Sequence, residues 1–425
     1  MKSHYDILIV GAGPAGMSAA LAAAPSGASV AILDDNPVPG GQIWRDGPQA
    51  QLPAMARQQR QALADAANIE LCNGVRVIAA PGDKRLLLED AQQGHLVSYD
   101  KLILCTGARE LLLPFPGWTL PGVTGAGGLQ ALIKGGMPVT TQRLVIAGSG
   151  PLLLASAATA KRAGAHLLRI AEQAPLTALA GFVARLPRWP GKALQAITLS
   201  DAHYRSSTQV LAALGTERLE AVRLSQNGKV SEIACDRLAC GFGLIPNTEL
   251  GQVLGCALAE RSLRVDAYQA TSLADHFAAG ECTGFGGSEL ALVEGSIAGY
   301  TAIGDLGRAK ARFAERQRWQ AFAELLGQTF RLNERLKTLA APDTLVCRCE
   351  DVPYSAMASH GSWVEAKLES RCGMGACQGR ICGAASDFLF GWQPPKPRQP
   401  ISPARIGTLM ALAEGEQTDP HQTQS

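Results

Sequence analysis

Residues 4–35 read HYDILIVGAGPAGMSAALAAAPSGASVAILDD, and this stretch decides the fold. Asp6–Val10 is apolar enough for a buried strand, Ala15–Ala24 is a run of small residues suited to a helix lying close to a sheet, and Ser29–Leu33 is a second strand. Gly11-Ala12-Gly13-Pro14-Ala15-Gly16 falls at the turn between the first strand and the helix. Gly11 permits the tight turn, Gly13 lets a pyrophosphate approach the backbone, and Gly16 lets helix and strand pack closely. The helix start at Pro14 and Ala15 then presents free N–H groups and a positive dipole end to phosphates. Asp34, followed by Asp35, ends the second strand, where an acid is needed to hold a ribose. The stretch predicts a βαβ unit that takes a dinucleotide.

A second copy lies at residues 144–172, LVIAGSGPLLLASAATAKRAGAHLLRIAE. Its turn, Gly148-Ser149-Gly150-Pro151-Leu152-Leu153, has leucine where the third glycine belongs, and that side chain is expected to push helix from strand. The acid position holds Ala171, with Glu172 beside it. Two such units point to one flavin-binding and one nicotinamide-type domain, with NAD binding by the second doubtful.

The composition agrees with a large α/β protein. At roughly 150 residues per domain, 425 residues make about three folding units. Lys and Arg number 39 against 37 Asp and Glu, so the net charge of +2 gives no reason to expect nucleic acid as a partner. Charged residues are 18%, below the usual roughly 25%, which excludes a disordered chain. The glycines after Val10 interrupt the N-terminal apolar run, so no targeting segment is expected, and no stretch reaches the roughly 20 apolar residues of a transmembrane segment. Eleven cysteines without a secretion signal suggest reduced thiols or metal ligands. The expected location is cytoplasmic, at most peripheral at the inner face of the membrane.

Further landmarks follow in order. Lys101–Cys105 runs into Thr106-Gly107-Ala108-Arg109, Cys240–Pro246 into Asn247-Thr248, and His276–Ala279 into Gly280-Glu281, with Gly284, Gly286 and Gly287 opening a helix around Glu289–Ala298. These segments together resemble the two-dinucleotide-domain flavoproteins related to glutathione and thioredoxin reductases. The resemblance implies FAD on Gly11, Gly13, Pro14, Ala15, Gly16, Asp34, Asp35, Gly41, Gln42, Thr106, Gly107, Gly280 and Glu281, the last standing where the family has aspartate. The disulfide reductases of that group carry a CxxC or CxxxxC pair beside the flavin, and in residues 1–340 such a spacing occurs only at Cys235 and Cys240, in the strand leading to the Cys240–Pro246 landmark rather than beside the first glycine turn. Disulfide reduction is therefore not expected. Gly40-Gly41-Gln42-Ile43-Trp44 stands after the ribose strand instead, with Trp44 read as a packing or flavin-shielding residue.

Five cysteines, Cys347, Cys349, Cys372, Cys377 and Cys382, crowd into residues 347–382. A CxC pair and a CxxxxC pair separated by a helical stretch suit a four-cysteine iron–sulfur site, with structural zinc the competing metal. Gly373, Gly375, Gly379 and Gly383 leave backbone N–H groups available to sulfur. Residues 346–352 (VCRCEDV) and 373–383 (GMGACQGRICG) resemble the bacterioferritin-associated-ferredoxin-type [2Fe–2S] domain. With the Gly40–Trp44 turn and residues 114–123, PFPGWTLPGV, the whole is similar to the α subunits of heteromeric amino-acid dehydrogenases. That family includes subunits of D-hydroxyproline dehydrogenase, opine oxidases and hydrogen cyanide synthase. In it the residue matching Cys372 is usually not cysteine, so the resemblance implies Cys347, Cys349, Cys377 and Cys382 as ligands.

The expected fold is thus an α/β, glutathione-reductase-like flavoprotein with two dinucleotide-binding domains and a small C-terminal [2Fe–2S] domain. The expected divisions are a FAD domain from 1–115 and 265–335, a degenerate NAD-like domain at 116–264, a [2Fe–2S] domain at 340–392, and a Pro-rich arm with a disordered tail at 393–425. Residues 303–340 read as a linking helical pair packed on the body. The expected function is electron transfer between FAD and [2Fe–2S] in an amino-acid dehydrogenase of hydroxyproline, opine or imino-acid type. Its partners would be a second flavin-containing catalytic subunit, together with a small ferredoxin-like subunit. The rival readings are a self-contained NADH-dependent ferredoxin-type reductase, which Leu153 and Ala171 oppose, and a zinc-bearing scaffold.

Overall fold

The computed structural model describes residues 1–82 and 84–417. Parallel strands Ile69–Asn73, Val30–Asp34, His4–Val10 and Gly94–Leu104 stand in that spatial order, with Ile7 opposite Val30 and Val10 opposite Leu104. The free edge of Gly94–Leu104 takes two neighbours. Its first half pairs antiparallel with Arg85–Glu89, which pairs with Arg76–Gly82, and its C-terminal end pairs parallel with His276–Ala278. Val30–Asp34 is buried at every position, as a parallel strand covered on both faces must be.

The small residues after the first turn have a packing reason. Helix Pro14–Ala23 is buried at nine of its ten positions because helix Gly287–Ala302 lies across its outer side. A Cβ on Gly295 would stand 2.1 Å from Ala15 O, and one on Gly299 would stand 2.2 Å from Ala19 O. Ser18 Oγ donates to Leu292 O at 2.7 Å between the same helices.

The second sheet repeats the plan, with parallel strands Tyr204–Arg205, His166–Glu172, Arg143–Gly148, Arg237–Gly241 and Val123–Gly125 in spatial order. Leu153 does not push its helix away. It is fully buried on helix Leu152–Arg162 against Gly241, where an added Cβ would meet Leu153 Cδ2 at 2.9 Å. The glycine the turn lacks is supplied on the facing strand.

Helices Leu306–Ala311 and Phe313–Thr329 follow the first unit, and the longer one packs Phe322 and Leu325 against Leu186 and Trp189 of a helical insertion at 176–199. The cysteine-bearing segment has its own core of Val346, Val352, Met357, Trp363 and Ala366, with the buried cysteines among them. The proline-rich stretch returns to the first sheet. Gln399 bonds both the N–H and C=O of Ala80, Ile401 N–H reaches Ile78 O at 2.8 Å, and helix Ile406–Gln417 then packs beside Ile78 and Leu87. Of the expected disordered tail, residues 418–425 lie outside the described residues.

One substitution made at two glycines tests the helix packing. Gly295→Ala is expected to lower stability by about 1–3 kcal/mol through overpacking. Gly327→Ala, at an exposed helical position with nothing within 4 Å of the new Cβ, is expected to raise it by about 0.5–1 kcal/mol. Urea midpoints of the two variants read the signs; an unchanged midpoint for Gly295→Ala would contradict the close approach.

Candidate functional site

Gly11, Gly13, Pro14, Ala15, Asp34, Asp35, Gly41, Gln42, Thr106, Gly107, Gly280 and Glu281 line one cleft of about 500 Å³ at the C-terminal ends of the first sheet's parallel strands. Gly16 lies beneath it, where a Cβ would stand 1.8 Å from Gly11 O. Gly13 opens onto the cleft: the nearest atom to a Cβ there is Gly41 Cα at 4.0 Å, and its N–H has no acceptor among the described residues. The chain thus offers an unfilled backbone donor at the head of a helix, the cradle that a phosphate fits.

The acids of the cleft divide their work. Asp34 is buried and fully engaged locally. Its Oδ2 accepts from Ala12 N–H at 2.6 Å, and its Oδ1 accepts from the N–H and Nδ2 of Asn36 at 2.8 and 2.7 Å. Asp35 is the exposed acid beside it. Glu281 has no hydrogen-bond partner among the described residues, and burial pushes its carboxyl above the usual range. The turn presenting it is fixed by Glu294, which accepts from Gly280 N–H at 3.0 Å and Thr283 Oγ1 at 3.3 Å. Burial outweighs those bonds and raises Glu294 to about 7.

The second turn is closed by its own acid. Glu172 is fully buried and accepts from Gly150 N–H at 2.8 Å, Ser149 Oγ at 2.9 Å and Ala174 N–H at 2.9 Å. Ser149 N–H is taken by Gly241 O at 2.8 Å. Gly150 is the counterpart of Gly13, so the amide that stays free in the first turn is occupied in the second. Beyond it lies a cavity of about 780 Å³ walled by Phe182, Phe322 and Phe330, with Lys134, Arg162 and Lys192 at its edges.

Cys347, Cys372 and Cys382 are buried, their sulfurs within 4.8 Å of one another. Cys349, exposed, hydrogen-bonds to Cys377. Burial raises the Cys377 thiol, but the Ile381 N–H, the Cys349 thiol and the N–H groups of Gly379 and Arg380 outweigh it and hold the thiol below its ordinary value. Cys372, set aside in the sequence reading, therefore sits with the group. The segment is pinned to the body by Trp118 of the PFPGWTLPGV run: its Nε1 donates to Leu345 O at 2.6 Å, and Arg348 lies over its ring at 4.7 Å.

Trp44 packs into the core of the first unit, and Arg45 is held by Asn36 and Gln42. Cys105 and Cys282 lie buried in the first unit, and burial raises both thiols, Cys282 to about 11. Sequence reasoning passed over Asn247, Glu249, Arg380, Ile401 and Ser402, which complete the cleft wall. Asn247 and Arg380 stood inside quoted motifs without a role; Ile401 and Ser402 sit in the proline-rich stretch and carried no signal.

Residues 5–305 match the pyridine nucleotide-disulphide oxidoreductase family. The chain is 30% identical to an opine oxidase subunit from Rhizobium meliloti, over 96% of this chain and 85% of that one. It is 31% identical to the hydrogen cyanide synthase subunit HcnB of Pseudomonas aeruginosa, over 95% and 98%. L-proline dehydrogenase from P. horikoshii superposes with a TM-score of 0.70 at 16% identity, over 96% of this chain and 79% of that one. No helix among the described residues is long and apolar enough to cross a membrane. With its fold, its glycine-turn cleft and these relatives in agreement, the chain belongs to the pyridine nucleotide-disulphide oxidoreductase family and is a flavoprotein oxidoreductase related to the opine oxidase and HcnB subunits.

Proposed function

We propose that this chain is the electron-transfer subunit of a heteromeric FAD-dependent amino-acid dehydrogenase of hydroxyproline, opine or imino-acid type. The observation that carries the reading is the inequality of the two turns: Gly13 N–H is free, whereas Gly150 N–H is held by Glu172. One dinucleotide, FAD, belongs in the first cleft, and the second unit is not built to receive NADH. The flavin's reducing equivalents then come from outside the chain, which accords with the relatives being named as subunits.

In this reading Gly13 and Ala15 present N–H groups to the pyrophosphate, Pro14 sets the helix start, and Gly16 lets the helix lie close against the turn beneath the cofactor. Asp34 braces the turn, Asp35 meets the ribose, and Glu281 offers its unpartnered carboxyl to a ribitol hydroxyl. Gly41 and Gln42 border the ring, while Thr106, Gly107 and Gly280 form the floor. Bound FAD supplies two-electron chemistry, and a [2Fe–2S] cluster supplies one-electron transfer. Cys347, Cys349, Cys377 and Cys382 would hold the cluster, a donor set of thiols with N–H groups directed at Cys377. Cys372, fully buried with its sulfur within 4.8 Å of those of Cys347 and Cys382, is the competing ligand.

The substrate site belongs to a partner, a second flavin-containing subunit, and a small ferredoxin-like protein is the further member of the complex. Binding an amino acid needs a cation to grip its carboxylate, and Arg45, the flavin-side candidate, is already tied to Asn36 and Gln42.

Two measurements test the proposal. Cys372→Ala is expected to keep its iron and the low-temperature paramagnetic signal of the reduced protein, whereas Cys349→Ala and Cys377→Ala lose both; the reverse pattern would move a ligand to Cys372. The isolated flavin-loaded chain is expected to leave D- and L-amino acids, imino acids and opines unoxidised with a dye acceptor, while the complex turns over one class. Robust turnover by the chain alone would overturn the partner's role.

A further inference from the structure

Arg380 stands between Cys377 and Cys382 in sequence, yet its side chain reaches the wall of the first cleft, which Gly13 lines from the other end of the chain. Its Nη2 donates to Ile401 O at 2.7 Å and to Ser402 Oγ at 3.4 Å, and both of those residues line the same cleft. Nε and Nη1 have no acceptor among the described residues, and no carboxylate there pairs with the guanidinium. The backbone behind it is held as well. Arg109 Nε donates to Arg380 O at 3.3 Å, Arg109 Nη1 reaches Asn247 Oδ1 at 2.8 Å and Glu249 at 2.9 Å, and Asn247 is bonded in both directions to Thr106 of the cleft floor.

The charges of the cleft give this arrangement a purpose. Its acids are Asp34, Asp35, Glu249 and Glu281, and its cations are Arg76 and Arg380. Asp34 is engaged with the turn and Glu249 with Arg109, but a dinucleotide brings two further negative charges. Arg76 is exposed at the start of its strand, whereas Arg380 is half-buried and already aimed by Ile401 and Ser402. A guanidinium held through one nitrogen and open at the other two is pre-organised for a phosphate oxygen.

Resting on the reading that FAD occupies this cleft, we infer that Arg380 is a phosphate-binding residue for that dinucleotide, so that the loop carrying Cys377 and Cys382 forms part of the flavin site.

The test uses the full chain, stripped of flavin and titrated with FAD, with ADP as competitor and with riboflavin, which has no phosphate. Arg380→Ala is expected to weaken FAD and ADP by about 10- to 100-fold, the range for one charged hydrogen bond. Riboflavin binding and iron content should be unchanged, Arg380→Lys should recover part of the loss, and Arg76→Ala should have the smaller effect. Unaltered FAD affinity in Arg380→Ala, with wild type holding FAD stoichiometrically, overturns this inference and leaves the FAD reading standing. Failure of the wild-type chain to bind FAD overturns both. Loss of iron together with FAD in Arg380→Ala, unrescued by lysine, would assign the residue to folding of the loop and overturn its phosphate role.

Discussion

In each α/β unit a carboxylate at the end of the second strand reaches back to the glycine turn, and the length of that side chain decides which N–H it takes. Asp34 stops at Ala12 and leaves Gly13 free. Glu172, one methylene longer and starting near the same point of its unit, reaches Gly150. The two turns are otherwise close copies, each pressed against a neighbouring strand where no Cβ fits: Gly11 on Cys105 O at 2.1 Å and Gly148 on Gly241 O at 1.9 Å. One carboxylate therefore leaves the third N–H of its turn free, while the other occupies it. That difference makes the molecule asymmetric in chemistry though symmetric in fold.

The cysteine segment is placed by the same economy of contacts. Trp118 and Arg348 fix its entry, and Arg109 holds the loop between Cys377 and Cys382 from the strand that leaves the cleft floor. Trp363 fills the space under the glycine loop, where a Cβ on Gly373 would stand 2.7 Å from its ring. Small residues are needed there because aromatic bulk is on the other side.

The fold and most of the cleft were legible in the sequence because they rest on local patterns: apolar strands, a helix of small residues, and glycines where backbone meets backbone. What was not legible depended on distance. The room for Leu153 comes from Gly241, far along the chain. The division of labour between Asp34 and Asp35 depends on which one turns inward, and adjacent aspartates look alike in one dimension. Cys372 joins Cys347 and Cys382 because the helix Trp363–Ser370 brings it round, and spacing alone did not place it. The proline-rich stretch read as an extended arm, since nothing local reports that Gln399 would find Ala80 on an edge strand.

Anaerobic addition of NADH or NADPH to the isolated flavin-loaded chain, with its visible absorption band followed, distinguishes a chain in which only the first turn takes a dinucleotide from one in which both do. The band is expected to persist with either nucleotide and to be bleached by dithionite. Rapid, stoichiometric bleaching by NADH or NADPH would mean that the second turn opens to a nicotinamide dinucleotide, and would contradict that expectation.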